Sequence, residues 1–160
     1  MNIRIRDAVP EDAELIHHFI SELAIYEREP DAVRYDYPRL AEQMKRDTPP
    51  FSCLIAESGG AALGFALYFF TYSTWEGKET LYLEDFFVPE EARGKGVGIA
   101  LFKRLASIAT ERGCGRMDWA VLRWNALAID FYDKVGATEE DEFVGYRLQG
   151  EALKRLAKLA

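Results

Sequence analysis

The chain has 160 residues, of which 49% are hydrophobic and only six are proline, so its length and composition favour one packed domain over disorder. The formal charge of −7 argues against a general nucleic-acid binder, which needs a concentrated basic face to neutralise phosphates. The longest apolar run, at residues 61–70, is far shorter than the roughly 20 residues that cross a bilayer. We therefore predict a single domain over residues 1–160 that binds neither nucleic acid nor membrane.

The amino terminus and the cysteines bear on cellular location and metal binding. Arg4, Arg6 and Asp7 interrupt the first residues, which lack the apolar segment of a signal peptide, so a cytoplasmic protein is expected. Cys53 and Cys114 have no CxxC spacing and no histidine nearby, which favours reduced thiols. The two histidines are adjacent, so on a helix they point about 100° apart and cannot share a metal ion as an i, i+4 pair does. No metal site is expected.

The first half of the chain shows the periodicities of two helices between strands. Isoleucines alternate with arginines at residues 3–6, and Pro10 opens a helix whose apolar stripe runs from Leu15 to Tyr26. Gly59 and Gly60 predict a hairpin turn. In chain order, the predicted elements are a strand at residues 3–6, helices at 10–26 and 37–46, and strands at 52–57, 62–71 and 80–88.

The second half alternates helices and strands. Pro89 ends the last strand of the meander, a glycine-rich loop follows, and Asn125 is a candidate N-cap. The predicted elements are a helix at residues 97–112, a strand at 117–122, a helix from Asn125 to Val135, a strand at 143–148 and a basic carboxy-terminal helix. This order predicts an α/β domain in which antiparallel strands are followed, after Val88, by a helical crossover to parallel strands.

The segment Arg93–Gly98, with the sequence Arg-Gly-Lys-Gly-Val-Gly, lies between a predicted strand and an amphipathic helix. Unpaired backbone N–H groups and the helix dipole favour an anion there, and glycines let the backbone approach a phosphate. For three glycines alone, an ordinary glycine-rich turn remains the alternative. Ile99 stands where a dinucleotide fingerprint needs glycine or alanine, and Gly96 stands where a P-loop needs serine or threonine. What remains is Arg-x-x-Gly-x-Gly between a strand and a helix.

Several segments carry a resemblance to a known superfamily. Arg93–Gly98 resembles the acetyl-CoA pyrophosphate loop of the GNAT N-acetyltransferases, and Trp124–Ala137 resembles their later helix motif. Within that superfamily, Tyr72–Gly77, Leu81–Val88 and Gln149–Ala152 resemble the diamine acetyltransferase family, with a Ser-Thr-Trp sequence closer to its thialysine N-ε-acetyltransferase branch than to its spermidine/spermine branch. The resemblance implies the GNAT fold, in which helices flank a mixed sheet with antiparallel amino-terminal strands and a parallel pair after the acetyl-CoA strand.

The resemblance implies acetyl transfer from acetyl-CoA to an amine, with two catalytic residues. Tyr132, a phenol of ordinary pKa about 10, matches the general acid that returns a proton to the leaving thiol, of pKa about 8.5. Glu84 matches the glutamate that takes a proton from the attacking amine through water, because an alkylamine of pKa about 10.4 is protonated at neutral pH. Without the motifs, Tyr132 would be interpreted as a core tyrosine and Glu84 as a carboxylate on an exposed strand face.

The same resemblance implies how acetyl-CoA is bound. Backbone groups of the strand end pair with the pantetheine arm as an added strand would, and an N–H such as that of Val88 polarises the thioester carbonyl. The residues implied for the acetyl-CoA site are Phe86, Phe87, Val88, Arg93, Gly94, Lys95, Gly96, Val97, Gly98, Ile99, Asn125, Ala128 and Tyr132. No metal or redox cofactor is required.

An amine pocket that suits a cation is expected from aromatic and carboxylate side chains, namely Tyr26, Glu27, Trp75, Glu84 and Asp85. Each of them is alternatively ordinary packing or surface charge. Because Glu84 and Asp85 are adjacent on a strand, only one of them is expected to face the site directly.

Two departures from the family favour a lysine-like amino acid or a short diamine over spermine. Ser73 stands where spermidine/spermine members carry aspartate, and Phe143–Tyr146 where members tend to have Glu-Glu-Gly-Trp, so carboxylates that bind a long polycation are missing. A polyamine acetyltransferase is the first alternative, followed by a protein acetyltransferase and a non-catalytic acyl-CoA sensor. The resemblance also implies a homodimer, to which Leu153–Leu159 is a candidate contributor. It is weakest from Pro30 to Pro50.

Overall fold

The computed structural model describes all residues 1–160. The chain divides into two compact units, Met1–Trp124 and Asn125–Ala160. No helix in either unit has both the length and the apolar character needed to span a bilayer.

The first unit contains five strands and three helices. The strands are β1 (Arg4–Asp7), β2 (Ser52–Ser58), β3 (Ala61–Ser73), β4 (Lys78–Phe87) and β5 (Arg116–Asp118). The helices are α1 (Ala13–Tyr26), α2 (Tyr37–Met44) and α3 (Val97–Glu111), with short 3₁₀ helices at Pro10–Asp12 and Glu90–Ala92. The strands and helices predicted before residue 112 are therefore confirmed, with small shifts at their ends.

The five strands form one mixed sheet in the order β1-β2-β3-β4-β5. The first four are antiparallel neighbours, and β5 runs parallel to β4 after the crossover through α3. Gly59 and Gly60, with φ of 57° and 82°, form the predicted turn between β2 and β3 in a left-handed conformation that glycine adopts at no steric cost. The predicted fold class is confirmed.

Helices cover both faces of this sheet. On one face, α1 and α2 pack over the strands, and Phe19 of α1 stacks on Phe65 of β3 with ring centroids 5.4 Å apart. On the other face, Phe102 of α3 meets Phe86 of β4 edge-on at 4.8 Å. Because side chains alternate along a strand, the same strands supply apolar residues to both layers.

An ion-pair network fixes β1 and the start of α1. The guanidinium of Arg6 donates to both carboxylate oxygens of Asp12, at 2.8 and 2.9 Å, and to Glu57 of β2 at 2.9 Å. Asp12 also accepts the Val9 N–H at 2.8 Å. The hydrogen bond from Arg6 holds the pKa of the Asp12 carboxyl below its usual value.

The second unit contains helices α4 (Ala126–Lys134) and α5 (Gly150–Ala157). The side-chain oxygen of Asn125 accepts the Ala128 N–H at 3.2 Å, so the predicted N-cap is confirmed. The basic carboxy-terminal helix is also confirmed, as α5.

Two strand predictions need correction. Residues 143–148 do not form a strand, and Phe143, Val144 and Tyr146 are 73%, 83% and 97% exposed. Alternating apolar residues predict which face of a strand is buried, but a strand also needs a neighbour for its N–H and C=O groups, and this segment has none. β5 is confirmed but covers residues 116–118 rather than 117–122, and Trp119 beyond it packs edge-on against Phe102 at 5.3 Å.

Candidate active site

The loop before α3 has the backbone geometry of an anion site. Gly94 and Gly96 adopt φ of 72° and 86°, and Gly96 is the N-cap of α3 without any side-chain cap. The first N–H groups of a helix have no partner within it, and the helix dipole makes this end electropositive. The position of a Cβ at Gly94 is open within 4 Å, so the backbone is approachable. This geometry is compatible with a bound pyrophosphate, which stays a prediction for Arg93–Gly98.

The two cations of the loop are held by the backbone. Arg93 Nε donates to the Val88 carbonyl oxygen at 2.8 Å, and Lys95 Nζ donates to the Glu91 carbonyl oxygen at 2.8 Å. The Arg93 guanidinium carbon also lies 5.1 Å from the centre of the Tyr26 ring. Neither cation has a carboxylate partner, so both leave positive charge at the loop.

The end of β4 next to this loop has an unpaired edge. β5 pairs only with Thr80–Tyr82, so the β4 backbone beyond Tyr82 has no strand neighbour on that side. On its other side β4 is closely supported, because a Cβ at Gly64 of β3 would lie 2.7 Å from the Phe87 carbonyl oxygen. The free edge is therefore a rigid template on which an extended group forms hydrogen bonds.

A β-bulge separates the two acidic residues of β4. Leu67 of β3 pairs with Asp85 and Tyr68 pairs with Leu83, so Glu84 is the extra residue and is exposed. Directly paired residues point to the same face, which places Asp85 on the α1 face with Leu67. The bulge, rather than simple alternation, decides the directions of the two carboxylates.

Glu27, Glu84 and Asp85 form what we call the carboxylate cluster. Burial, followed by the charges of Glu84 and Glu27, raises the pKa of Asp85 to about 6. Burial also raises the pKa of Glu27, which directly follows α1. Negative charge is thus concentrated where α1 ends, beside the bulge in β4.

Comparison with known proteins identifies the family. The acetyltransferase (GNAT) family profile matches residues 14–137. The chain belongs to the GNAT acetyltransferase family. Thialysine N-epsilon-acetyltransferase from Bos taurus is 38% identical, over 97% of this chain and 97% of that protein. The human spermidine/spermine N(1)-acetyltransferase-like protein 1 is 39% identical over 91% of this chain, which corresponds to 22% of that protein.

A solved structure agrees with this family assignment. An integron cassette protein from the mobile metagenome of V. cholerae has a TM-score of 0.81 and 30% identity, with 99% of both chains covered. The protein is thus an acetyl-CoA-dependent N-acetyltransferase, and the predictions of family, fold and enzyme class are confirmed. The relatives agree with acetyl transfer to a small amine, and the alternatives from the sequence are not favoured.

The other site residues predicted for this GNAT protein lie on different elements. Tyr26 ends α1, and its ring lies 6.4 Å from that of Phe87 and 5.9 Å from that of Trp124. Tyr132 is on α4 in the second unit, half-buried, with its ring 5.8 Å from that of Phe131. Val97, Gly98 and Ile99 form the first turn of α3, while Asn125 and Ala128 lie at the start of α4.

The structure does not bring Trp75 to the carboxylate cluster. Trp75 lies in the turn between β3 and β4 and is 88% exposed. Lys78 and Glu84 are six positions apart along β4, a distance of roughly 20 Å at about 3.3 Å per residue. Ser73 shapes this turn, because its hydroxyl accepts the Glu76 N–H at 3.2 Å. A role for Trp75 in the amine pocket therefore stays a prediction from the family resemblance.

Tyr35 is a neighbour of the cluster that the sequence did not reveal. It lies between α1 and α2, where His17 Nε2 is 2.7 Å from its carbonyl oxygen and the two rings meet edge-on at 5.4 Å. Burial, then the charge of Asp85, raises the pKa of the Tyr35 phenol. No motif marks this residue, because it falls in the segment where the family resemblance is weakest.

Proposed function

We propose that this enzyme transfers the acetyl group of acetyl-CoA to the primary amine of a small cationic substrate, either a thialysine- or lysine-like amino acid or a short diamine. The observation that carries the proposal is the carboxylate cluster, which lies beside the unpaired edge of β4. Its negative charge attracts an ammonium group, and its place beside that edge puts the amine near a bound thioester. The relatives named for thialysine support the same class of acceptor.

Acetyl-CoA supplies an activated thioester, and residues of the chain hold it. In this proposal the N–H groups at the start of α3 and the charges of Arg93 and Lys95 bind the pyrophosphate. The edge of Phe86–Val88 pairs with the pantetheine arm, and the Val88 N–H polarises the acetyl carbonyl. The family resemblance also assigns Asn125, Ala128 and Tyr132, on or next to α4, to acetyl-CoA binding.

Two side chains, Glu84 and Tyr132, carry out the proton transfers in this proposal. Glu84, which is exposed at the bulge, accepts the proton of the attacking amine through water, and Tyr132 donates a proton to the departing thiol. Asp85, with its pKa near 6, is ionised above that pH and pairs with the ammonium of the substrate together with Glu27. Holding amine and thioester together contributes about 7–11 kcal/mol to the lowered barrier when both are well oriented.

The size of the acceptor is limited by the reach of the carboxylates. The Ser73 hydroxyl accepts a hydrogen bond within its own turn, and Phe143–Tyr146 contain no carboxylate, so both segments lack the acidic groups that would bind a long polycation. Spermidine or spermine is the second candidate, because one relative is named for them.

The test is CoA release from acetyl-CoA with a panel of amines: thialysine, lysine, ornithine, putrescine, spermidine, spermine and a lysine-containing peptide. The highest kcat/KM on the amino acids or short diamines supports the proposal. Preference for spermine overturns the substrate assignment while leaving an acetyltransferase. Turnover on the peptide alone moves the function to protein modification, and CoA binding without any turnover favours an acyl-CoA sensor.

A homodimer is also proposed, with the exposed apolar side chains of the second unit at its interface. These are Phe143, Val144 and Tyr146, together with Leu153, Leu156 and Leu159 of and beyond α5. These exposed apolar side chains are available for burial against a second copy of the chain. Light scattering coupled to size-exclusion chromatography is expected to give twice the chain mass, and a monomer with wild-type turnover contradicts the dimer.

A further inference from the structure

Two arginines and two aromatic rings form a chain of contacts at the end of α1. The Arg93 guanidinium lies 5.1 Å from the Tyr26 ring centre, and the Tyr26 and Trp124 rings are 5.9 Å apart. The Arg28 guanidinium in turn lies 4.0 Å from the Trp124 ring centre. We call Arg93, Tyr26, Trp124 and Arg28 the arginine–aromatic stack. It connects the end of α1 to the phosphate loop.

The backbone at Arg28 is strained. α1 ends in a Schellman motif, in which the Glu29 N–H donates to the Ala24 carbonyl at 2.8 Å and the Arg28 N–H donates to the Ile25 carbonyl at 3.0 Å. The residue after the cap is in the left-handed region, with φ of 66°, and glycine is the usual residue there. Arg28 is the only non-glycine residue of the chain with positive φ, so its side chain stands where the fold alone would favour glycine.

The position of Arg93 suggests what the stack does. Its Nε is bound to the Val88 carbonyl oxygen and its face is covered by Tyr26, while its two Nη groups make no hydrogen bond to the protein. A guanidinium fixed in this way has donors left for phosphate oxygens and loses less conformational entropy when it binds them.

We propose that Tyr26 is a positioning residue for the cofactor, which orients Arg93 toward the CoA phosphates, and that Trp124 and Arg28 support it from behind. The inference rests on the proposed function only in that CoA is the ligand of the phosphate loop. It assigns Tyr26 an effect on CoA affinity rather than on the amine.

The test is the Kd for CoA, measured by titration calorimetry without any amine. Tyr26→Leu is expected to weaken CoA binding about three- to tenfold, the range of one partly desolvated cation–π contact. Tyr26→Phe keeps a ring beneath Arg93 and is expected to stay within twofold of wild type. Tyr37→Leu, at a half-exposed tyrosine of α2, is the matched control and leaves the Kd unchanged.

A double-mutant cycle shows whether Tyr26 acts through Arg93. In the Arg93→Ala background, Tyr26→Leu is expected to cause no further loss of CoA affinity. An equal loss in both backgrounds overturns the inference, and so does a wild-type Kd for Tyr26→Leu accompanied by a raised KM for the amine. The cycle measures binding only, so it tests the role of Tyr26 even if the protein acetylates none of the amines. If the wild type does not bind CoA, both this inference and the proposed function are contradicted.

Arg28→Gly provides a second test that does not depend on the stability of Tyr26→Leu. Glycine relieves the left-handed strain, so the melting temperature is expected to rise, while loss of the stacked guanidinium is expected to weaken CoA binding about twofold or more. If Arg28 had only a structural role, the variant would not combine a higher melting temperature with weaker CoA binding. Unchanged CoA affinity in this variant contradicts the supporting role of Arg28.

Discussion

Asp85 and Glu84 are neighbours in sequence, yet the bulge in β4 gives them different surroundings. Glu84 is the exposed extra residue, and Asp85 turns toward α1 with a pKa of about 6. The sequence motif located both carboxylates. It contained no sign of the bulge, because the extra residue is defined by register against β3 and not by residue type.

Replacing Asp85 by asparagine is expected to stabilise the fold at high pH. The pKa of Asp85 is raised from 3.8, so the folded protein binds more protons than the unfolded chain between about pH 4 and 6, and stability is lost as the pH rises through 6. Asp85→Asn should therefore raise the free energy of unfolding by on the order of 1 kcal/mol at pH 8 and change it little at pH 4. Urea denaturation at both pH values measures this.

Asp31→Asn, at an exposed position outside any ion pair, is the control for that comparison. Its free energy of unfolding is expected to stay close to that of the wild type in both measurements. A lower stability of Asp85→Asn at pH 8 means that the carboxylate is stabilised by a partner and contradicts the account of its pKa.

The Arg6–Asp12 pair predicts the opposite pH dependence. Because the pKa of Asp12 is lowered by its hydrogen bond from Arg6, the stabilisation is present above the ordinary carboxyl pKa of about 4 and is lost as the pH falls through the folded value. Asp12→Asn is expected to lower the free energy of unfolding by about 1–2 kcal/mol at pH 7, with a smaller difference at pH 3. Denaturant melts at pH 7 and pH 3 measure this difference, with Glu11→Gln at an exposed position as the control. If the difference between Asp12→Asn and the wild type is the same at both pH values, the Arg6–Asp12 pair does not stabilise the fold as described.

At the level of strands and helices, hydrophobic periodicity predicted nearly every element before residue 112. It worked for α1 and α3 because each buries one long apolar stripe against the sheet. It failed at residues 143–148, where apolar alternation is present but no neighbouring strand supplies hydrogen bonds. The length of β5 and the unpaired edge of β4 depend on pairing between distant segments, which periodicity within one segment does not contain.

The close approach of β3 to the end of β4 predicts the effect of a single methyl group. Gly64→Ala places a Cβ 2.7 Å from the Phe87 carbonyl oxygen, so β4 must shift at the edge proposed for acetyl-CoA. The variant is expected to lose about 1–3 kcal/mol of stability and to bind CoA more weakly. Gly145→Ala, where the new methyl group meets open space, is the control in thermal melts and CoA titrations. Wild-type CoA affinity in Gly64→Ala means that this edge does not hold the cofactor.

For the whole molecule, the sheet order and the crossover through α3 followed from the sequence, because one glycine-rich loop and one later helix motif have fixed places in the GNAT fold. The sequence motifs named some residues of the candidate site and missed others. The motif named the residues of the proposed phosphate loop. The proximity of Tyr35 to Asp85 and the contact of Tyr26 with Arg93 join segments about 50 and 67 residues apart that no motif connects. The family resemblance alone placed Trp75 in the predicted amine pocket. In this chain the length of β4 separates Trp75 from the carboxylate cluster.

In the proposed mechanism the carboxylate cluster holds a small amine and Tyr132 protonates the thiol that leaves during acetyl transfer. The most direct measurement is kcat on thialysine, alongside the Kd for CoA, for the wild type and for Tyr132→Phe. This mechanism predicts wild-type turnover, a loss of about a hundredfold in kcat for Tyr132→Phe, and a Kd for CoA that changes far less than kcat because the ring is kept. Equal kcat values for the two proteins, or binding of CoA without turnover by the wild type, would contradict it.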